Sequence, residues 1–321
     1  MIIYSLKRLL LLIITFFFLT LISFSLNYFT KNAPLSELPL INGYILYFQS
    51  LLNWNFGIST LNGQPISDQL NSAFPATMEL CLISFILALI IGIPTGIFIG
   101  TKKNKPIEYI IKIFTLIGLS MPIFVLSLLL ILLFSLKLNW LPNSGRINLL
   151  YDLKPITGFL LIDVWLSDST YRHEMFLNAI EHLILPVITL AIAPISEIIR
   201  FTKNSTELVI NENYIKAAKI RGLSNFTVIR RHVLHNALPP IISKLGLQFS
   251  SMITLAMITE FIFNWPGLGY WLITSILQND YSAISSSVMI IGNLIIFINV
   301  ISDILKAKIN PYKYKDEYVF R

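Results

Sequence analysis

Two histidines, His232 and His235, and three carboxylates in or near apolar runs, Glu79, Glu260 and Asp303, are the side chains whose types and spacing could support chemistry. A histidine pair at i, i+3 shares a helix face and could hold a metal. Arg230 and Arg231 stand beside it, however, and the pattern offers no third ligand, so no metal is expected. The carboxylates must face protein or water rather than lipid. Glu260, late in its apolar run, is the preferred pathway or gate residue. Glu197 and Arg200 are three residues apart and read as a structural ion pair. No nucleophile, base and acid fall into a catalytic constellation, so no catalytic residue is assigned. The single Cys81 rules out an intrachain disulfide and a cysteine-based metal cluster. No GxxxxGK[ST] loop is present to cradle phosphates, and the chain is not expected to hydrolyse ATP itself.

The elements around these residues belong to a membrane protein. The 321 residues are 55% hydrophobic and 13% charged, with a mean hydropathy of +0.71, whereas soluble domains carry about a quarter charged residues. A net charge of +7 could suit nucleic acid, but the basic residues are scattered between apolar runs without a recognition motif, so no nucleic-acid partner is expected. The opening stretch MIIYSLKRLLLLIITFFFLTLISFSL looks like a signal peptide but is too long for one and lacks a cleavage site. It reads as a retained first span.

Six stretches reach the length a helix needs to cross a bilayer, at roughly 9–29, 76–100, 109–136, 183–202, 241–263 and 284–305. Residues 155–166, PITGFLLIDVWL, are too short and interrupted by Asp163, and fall in an external loop as an interfacial helix. Lys7, Arg8, Lys102, Lys103, Lys105, Lys112, Arg200, Lys203, Lys216, Lys219, Arg221, Arg230, Arg231, Lys244, Lys306, Lys308, Lys313, Lys315 and Arg321 collect on one side. Only Lys31, Lys137, Arg146, Lys154 and Arg172 collect on the other. The positive-inside rule then places both termini in the cytoplasm. Residues 203–240 stay out of the bilayer too. The seven cationic side chains from Arg200 to Arg231 would cost roughly 20 kcal/mol there, at about 3 kcal/mol each. The expected organisation is a first span and external loop (1–75), a core of five spans (76–310) and a cytoplasmic tail (311–321).

Within the second span Gly92, Gly96 and Gly100 share one helix face and let a neighbouring helix approach; ordinary packing is the plainer reading, a flexible wall of a path the functional one. Pro94 should kink this helix. The cytoplasmic stretch NENYIKAAKIRGLSNFTVIRRHVLHNALPP (211–240) predicts two short helices. Glu212 and Lys216 take the favourable i, i+4 spacing. Gly222 suits a left-handed helix end, and Ser224 the cap of the next helix. Phe226, Ile229 and Val233 form its apolar stripe, and Leu238-Pro239-Pro240 stop it. The two alanines, Ala217 and Ala218, offer a surface that can press into a groove. A basic loop on anionic headgroups is the competing reading.

That stretch resembles the coupling loop of ATP-binding-cassette importer permeases, known as the EAA loop, with Lys216-Ala217-Ala218 in the first position, Gly222 matching, and Leu238-Pro239 following late as in the peptide branch. Lys216 replaces the glutamate of the pattern. FPATMELCL (74–82), WLPNSGR (140–146), HLILPVITLAIAP (182–194) and TEFIFNWPGLGYW (259–271) resemble landmarks of dipeptide and oligopeptide permeases nearly end to end. ATMELC, LLYDLKPITGF, RRHVLHNALPP, LGLQFSSMITLAMITE and NVISDIL are most similar to the Sap branch, named for sensitivity to antimicrobial peptides.

The resemblance implies an all-α importer-type permease of the bacterial inner membrane, moving peptides or antimicrobial peptides, without a cofactor of its own. ATP and Mg would sit on two cytoplasmic ATPase subunits. A second homologous permease and a periplasmic solute-binding protein would complete the complex. Lys216, Ala217, Ala218, Gly222, Leu238 and Pro239 would couple to the ATPases. Glu260, Pro266, Gly267 and Gly269 would line the path or gate, within an outer scoop at 264–284 whose aromatic residues suit the headgroup level. The loop 137–182, where Asp152, Asp163, Asp168, Glu174 and Glu181 outnumber the basic residues, could attract cationic cargo, although solvated loop charge is the plainer reading. A secondary transporter would call for inverted repeats or midplane ion ligands, which the sequence does not display. A polyamine exporter of the same family and a non-transporting scaffold compete with the peptide permease.

Overall fold

Backbone groups in hydrocarbon must be paired within their own segment, and this chain meets that demand with helices. The computed structural model describes residues 2–29, 38–101, 105–151 and 153–309. The described helices are α1 (Ile2–Tyr28), α2 (Leu40–Leu52), α3 (Ile66–Thr101), α4 (Lys105–Ser120), α5 (Ile123–Leu130), α6 (Leu160–Leu166), α7 (Arg172–Ile210), α8 (Asn213–Ile220), α9 (Asn225–Val228), α10 (Leu234–Ile262), α11 (Leu268–Gln278) and α12 (Tyr281–Ile309). Two π-helical segments, Ile131–Lys137 and Ile229–Val233, continue α5 and join α9 to α10. The one extended pairing among the described residues is the bridge between Ile58 and Pro65. Lys31, Lys102, Lys103, Asp152, Lys313, Lys315, Arg321 and the expected tail 311–321 lie outside the described residues.

Five helical stretches are long and apolar enough to cross a membrane: Leu6–Tyr28, Ile66–Thr101, Arg172–Ile210, Asn225–Ile262 and Tyr281–Lys308. A sixth span is a bent pair, Pro106–Ser120 and Ile123–Lys137, set at 106°. The straight span expected at 109–136 is therefore broken, at Met121-Pro122. Proline has no N–H to continue the ladder and disfavours a helical residue before it. Elsewhere helices carry prolines within them. Pro94 lies inside α3, which runs on to Thr101. Pro239 and Pro240, expected to stop a helix, lie inside α10. A proline removes only its own donor, and packing against α7 and α12 holds the remaining turns.

The 39 residues of α7 extend about 58 Å, against a hydrocarbon core of about 30 Å. The helix therefore begins in the loop region, where it absorbs Glu174 and Glu181 from the expected loop 137–182. Its far end projects beyond the opposite face. Along its length it packs on α3, and the glycine stripe sets the distance. A Cβ added at Gly92 would lie 2.6 Å from Ile198 Cγ2, one at Gly96 2.5 Å from Thr202 Cβ, and one at Gly100 2.7 Å from Thr206 Cβ. Both stripes repeat every four residues, so the two helices meet along one seam. In lipid, where apolar burial gives no driving force between helices, such close contact supplies the attraction.

At the end of the bundle rich in basic residues, ion pairs tie neighbours together. Arg8 Nε lies 3.2 Å from Asp303, whose carboxylate also takes Lys306 Nζ at 2.9 Å. Lys203 Nζ reaches Glu108 at 2.6 Å, joining α7 to α4. The expected Glu197–Arg200 pair is a loose contact of 3.9 Å on a largely solvated surface. At the opposite end, hereafter the loop face, α1 and α2 pack through Phe24, Tyr47 and Leu51 onto α3, α11 and α12.

Candidate functional site

The bend between α7 and α10 is built around a small core of its own. Ile215 and Ala218 of α8 turn inward onto Val228 and Val233, against Val209 and Ile210 at the end of α7. Val228 and Val233 are five residues apart and would diverge on an α-helix. The π-helical turn at Ile229–Val233 brings both to one side. This overturns the expected stripe of Phe226, Ile229 and Val233: Phe226 is 72% exposed. Glu212 occupies the cap position of α8 in extended conformation. Its carbonyl accepts from the Lys216 N–H at 3.3 Å, and its carboxylate makes no ion pair with Lys216 among the described residues.

Gly222 ends α8 as its type predicts. Its φ is +81°, its N–H donates to Lys219 O at 3.0 Å, and the Leu223 N–H donates to Ala218 O at 3.3 Å. A Cβ at Gly222 would meet nothing within 4 Å, so the requirement is conformational rather than steric. Ser224 then caps α9, accepting from the Thr227 N–H at 3.3 Å. Ala217 points outward while Ala218 is buried. Around Ala217 the surface presents Tyr214, Ile220 (86% exposed), Leu223 and Phe226. Lys216, Lys219, Arg221, Arg230 and Arg231 are exposed around it. Leu238 and Pro239, half-buried, lie a turn beyond in α10, where the Ser205 hydroxyl of α7 donates to Ala237 O at 2.9 Å. The structure thus gathers Lys216, Ala217 and Gly222 on one protruding surface, with Ala218 beneath it. Leu238 and Pro239 sit at its root.

On the loop face, Glu260 closes α10. Its Oε2 accepts from the Gly269 N–H at 2.7 Å and the Tyr270 N–H at 3.2 Å, two of the otherwise unpaired donors that start α11. A Cβ at Gly267 would collide with the Glu260 carboxyl carbon, and one at Gly269 with Met257 Cα. Both glycines are there for close approach, and Gly269 lies within α11. Trp265, expected at the headgroup level, is fully buried, and its Nε1 donates to Ala76 O at 3.0 Å. The α10–α11 corner is thereby fastened to α3.

Glu79 has the partner its position in α3 requires, and it comes from the loop. Arg146 Nη2 donates to Glu79 Oε2 and to Gly158 O at 3.1 Å, while the Leu161 N–H donates to Glu79 Oε1 at 2.9 Å. The Arg146 guanidinium carbon stands 5.4 Å from the Trp265 ring centre, in cation–π range. Sequence reasoning flagged Glu79 as needing a partner but did not find this one, because 67 residues separate the two. The single cation in WLPNSGR was the available signal.

Asp163 is likewise committed. Rather than interrupting α6 it lies within it, buried, accepting from the Thr157 N–H at 2.7 Å, the Thr157 hydroxyl at 2.6 Å and the Gly158 N–H at 2.9 Å. Burial alone pulls its carboxyl upward. The Thr157 hydroxyl and the backbone donors outweigh that and hold it below the ordinary aspartate value. Asp163 therefore holds the loop together and does not face solvent as a loop charge.

Between these elements the loop face opens into a cavity of about 1410 Å³, walled by aromatic and aliphatic side chains from α1, α3, α12 and the loops, with Arg146, Asp163 and Pro266 at its edge.

A family described as "Binding-protein-dependent transport system inner membrane component" matches residues 92–312. The chain is 58% identical over its full length, and that of the relative, to the putrescine export system permease protein SapB of Escherichia coli K12. It is 57% identical, again over both full lengths, to the peptide transport system permease protein SapB of Salmonella typhimurium. With the di/tripeptide transport system permease protein DppB of Pseudomonas aeruginosa it shares 36% identity over 95% of this chain and 96% of that one. Among solved structures, an inward-facing MetNI methionine ABC transporter chain aligns with a TM-score of 0.54 and 14% identity, covering 73% of this chain and 93% of that one. That last likeness is one of fold.

Proposed function

Because the chain belongs to the family of binding-protein-dependent transport system inner membrane components, whose members are transport subunits rather than enzymes, we propose that its α8–α9 bend is the surface through which partner ATPase subunits drive it. It is a multi-pass permease of the bacterial inner membrane, and permeases of this family work with other subunits of an ATP-binding-cassette transporter. For this chain the partners are proposed as a second homologous permease, two ATP-binding subunits that hold ATP and Mg, and a periplasmic solute-binding protein.

One observation supports the coupling reading above the others. Ile220, Leu223 and Phe226 stand exposed at a turn whose geometry depends on Gly222, on a bend with its own small core. A segment that merely rested on lipid headgroups would have no use for a rigid αL turn at its tip. A push on the bend has a path inward. The bend continues α7, and α7 meets α3 along the seam of Gly92, Gly96 and Gly100. Switching between two accessible states requires such differential contact with the driving partner. Glu260, Pro266, Gly267 and Gly269 are proposed to shape the gate by fixing the α10–α11 corner, not by meeting cargo directly, because the Glu260 carboxylate is buried against that corner.

The test is copurification from a gentle detergent. Replacing Ile220 and Phe226 together by aspartate should release the ATPase subunits while the chain stays in the membrane. Retention of both subunits would overturn the coupling assignment.

Peptides are the proposed cargo, supported by the names of the peptide-transport relatives. A second reading, a small polyamine, is favoured by the relative described as a putrescine export permease. Uptake and efflux of a labelled peptide and of putrescine in vesicles, with and without ATP, separate the two.

A further inference from the structure

The loop-face cavity carries an inference about what it receives. Its walls are apolar and aromatic, with Phe16, Trp54, Phe74 and Phe297 among them. On α12 the lining runs from Met289 to Phe297, about 12 Å at 1.5 Å per residue. Among the described residues, three charged side chains line it: Asp68, Arg146 and Asp163. Two are already used. Arg146 is paired with Glu79, and Asp163 is spent on Thr157 and Gly158.

Asp68 is different. It makes no ion pair among the described residues and is exposed. It stands in the first turn of α3, where the helix dipole favours a negative charge. Asn293 of α12 also lines the cavity. Its Nδ2 donates to Met289 O at 2.8 Å, which leaves its oxygen as the group with spare capacity. Among the described residues the cavity therefore offers one uncommitted carboxylate, together with aromatic faces. Both attract cations, and the apolar walls suit a hydrocarbon chain.

We propose that this cavity is a cargo subsite in which Asp68 receives an alkylammonium group, its methylene chain lying along the aromatic walls. The inference rests on the transport reading above and deepens it. The alkylammonium could come from a lysine side chain of a peptide or from a free diamine. The volume of about 1410 Å³ exceeds the usual small-molecule pocket of about 300–1,000 Å³, so there is room for either.

The test uses the assembled transporter in lipid nanodiscs and measures equilibrium binding of three probes: the peptide Ala-Lys-Ala-Lys, the same peptide with norleucine for lysine, and butane-1,4-diamine. The lysine peptide or the diamine should bind the native complex, and Asp68→Asn should weaken that binding about tenfold. Asp68→Glu should restore most of it, and norleucine-peptide binding should be unchanged by either substitution. A loss confined to the lysine peptide identifies a peptide side chain as the source, and a loss confined to the diamine identifies the free amine. Failure of both cationic probes to bind the native complex would overturn the proposal. So would unaltered cation binding in Asp68→Asn, or an equal loss for the norleucine peptide. Copurification of the ATPase subunits does not involve Asp68, so the coupling reading stands or falls separately.

Discussion

The buried pair of Glu79 and Arg146 is the most consequential contact at the scale of single residues. Glu79 is 2% exposed, and removing its partner strands a charge, which costs about 3–5 kcal/mol where a buried pair is broken from one side. Arg146→Ala is expected to lower the thermal stability of the detergent-solubilised chain markedly. The double change Glu79→Gln with Arg146→Met should cost less, because neither remaining group is charged. Melting curves of the three proteins check this. Asp163 gives a pH prediction whose sign follows from its depressed carboxyl. A group held below its unfolded value stabilises above that value and loses the contribution as pH falls through the folded one. The loop that Asp163 ties is therefore expected to hold at neutral pH and loosen only in acid below about pH 4, the ordinary aspartate value. Protection of the Thr157 and Gly158 amides against exchange, measured relative to their intrinsic rates at each pH, should fall on acidification in the native chain. In Asp163→Asn that protection should be low throughout.

Among the elements, two kinds of glycine need to be kept apart. Gly96 is required by its neighbour: a side chain there meets Thr202 head on. Gly222 is required by its backbone, with open space around it. Gly96→Val is expected to force α3 from α7 and cost about 1–3 kcal/mol by overpacking. Gly222→Val should cost about 1–2 kcal/mol of local strain, confined to the bend, with Gly222→Asn milder because asparagine tolerates the left-handed region. Gly96→Val should thus lower the melting temperature of the whole bundle. Gly222→Val should leave it nearly unchanged while weakening ATPase copurification. The glycine stripe of α3 and the glycine turn at Gly222 were legible in the sequence as spacing and type. The inward face of α9 was not, because a π-helical turn shifts the register by one residue and no propensity announces it.

For the whole molecule, the testable quantity is sidedness. The positive-inside argument sets the α8–α9 bend in the cytoplasm and the loop face outside. Cys81 is fully buried, so the native chain offers a low background for thiol labelling. Leu149→Cys, at a fully exposed site on the loop face, is expected to react with a membrane-impermeant maleimide in intact cells. Ile220→Cys should react only after permeabilisation. The reverse pattern would invert the molecule and with it every assignment of coupling and cargo surface.

Sequence alone determined the membrane class, the bend with its glycine, and the need of Glu79 and Glu260 for protein partners, because apolar length, left-handed turns and charge in lipid are local demands that residue types must satisfy. Only the tertiary structure decided which partners meet them. It joined Glu79 to Arg146, buried Trp265 beneath the α10–α11 corner, broke the third span at Pro122 and left Asp68 beside a cavity without an ion pair among the described residues. Those outcomes depend on segments far apart in the chain meeting in space, and contact between them leaves no local trace in the order of residues.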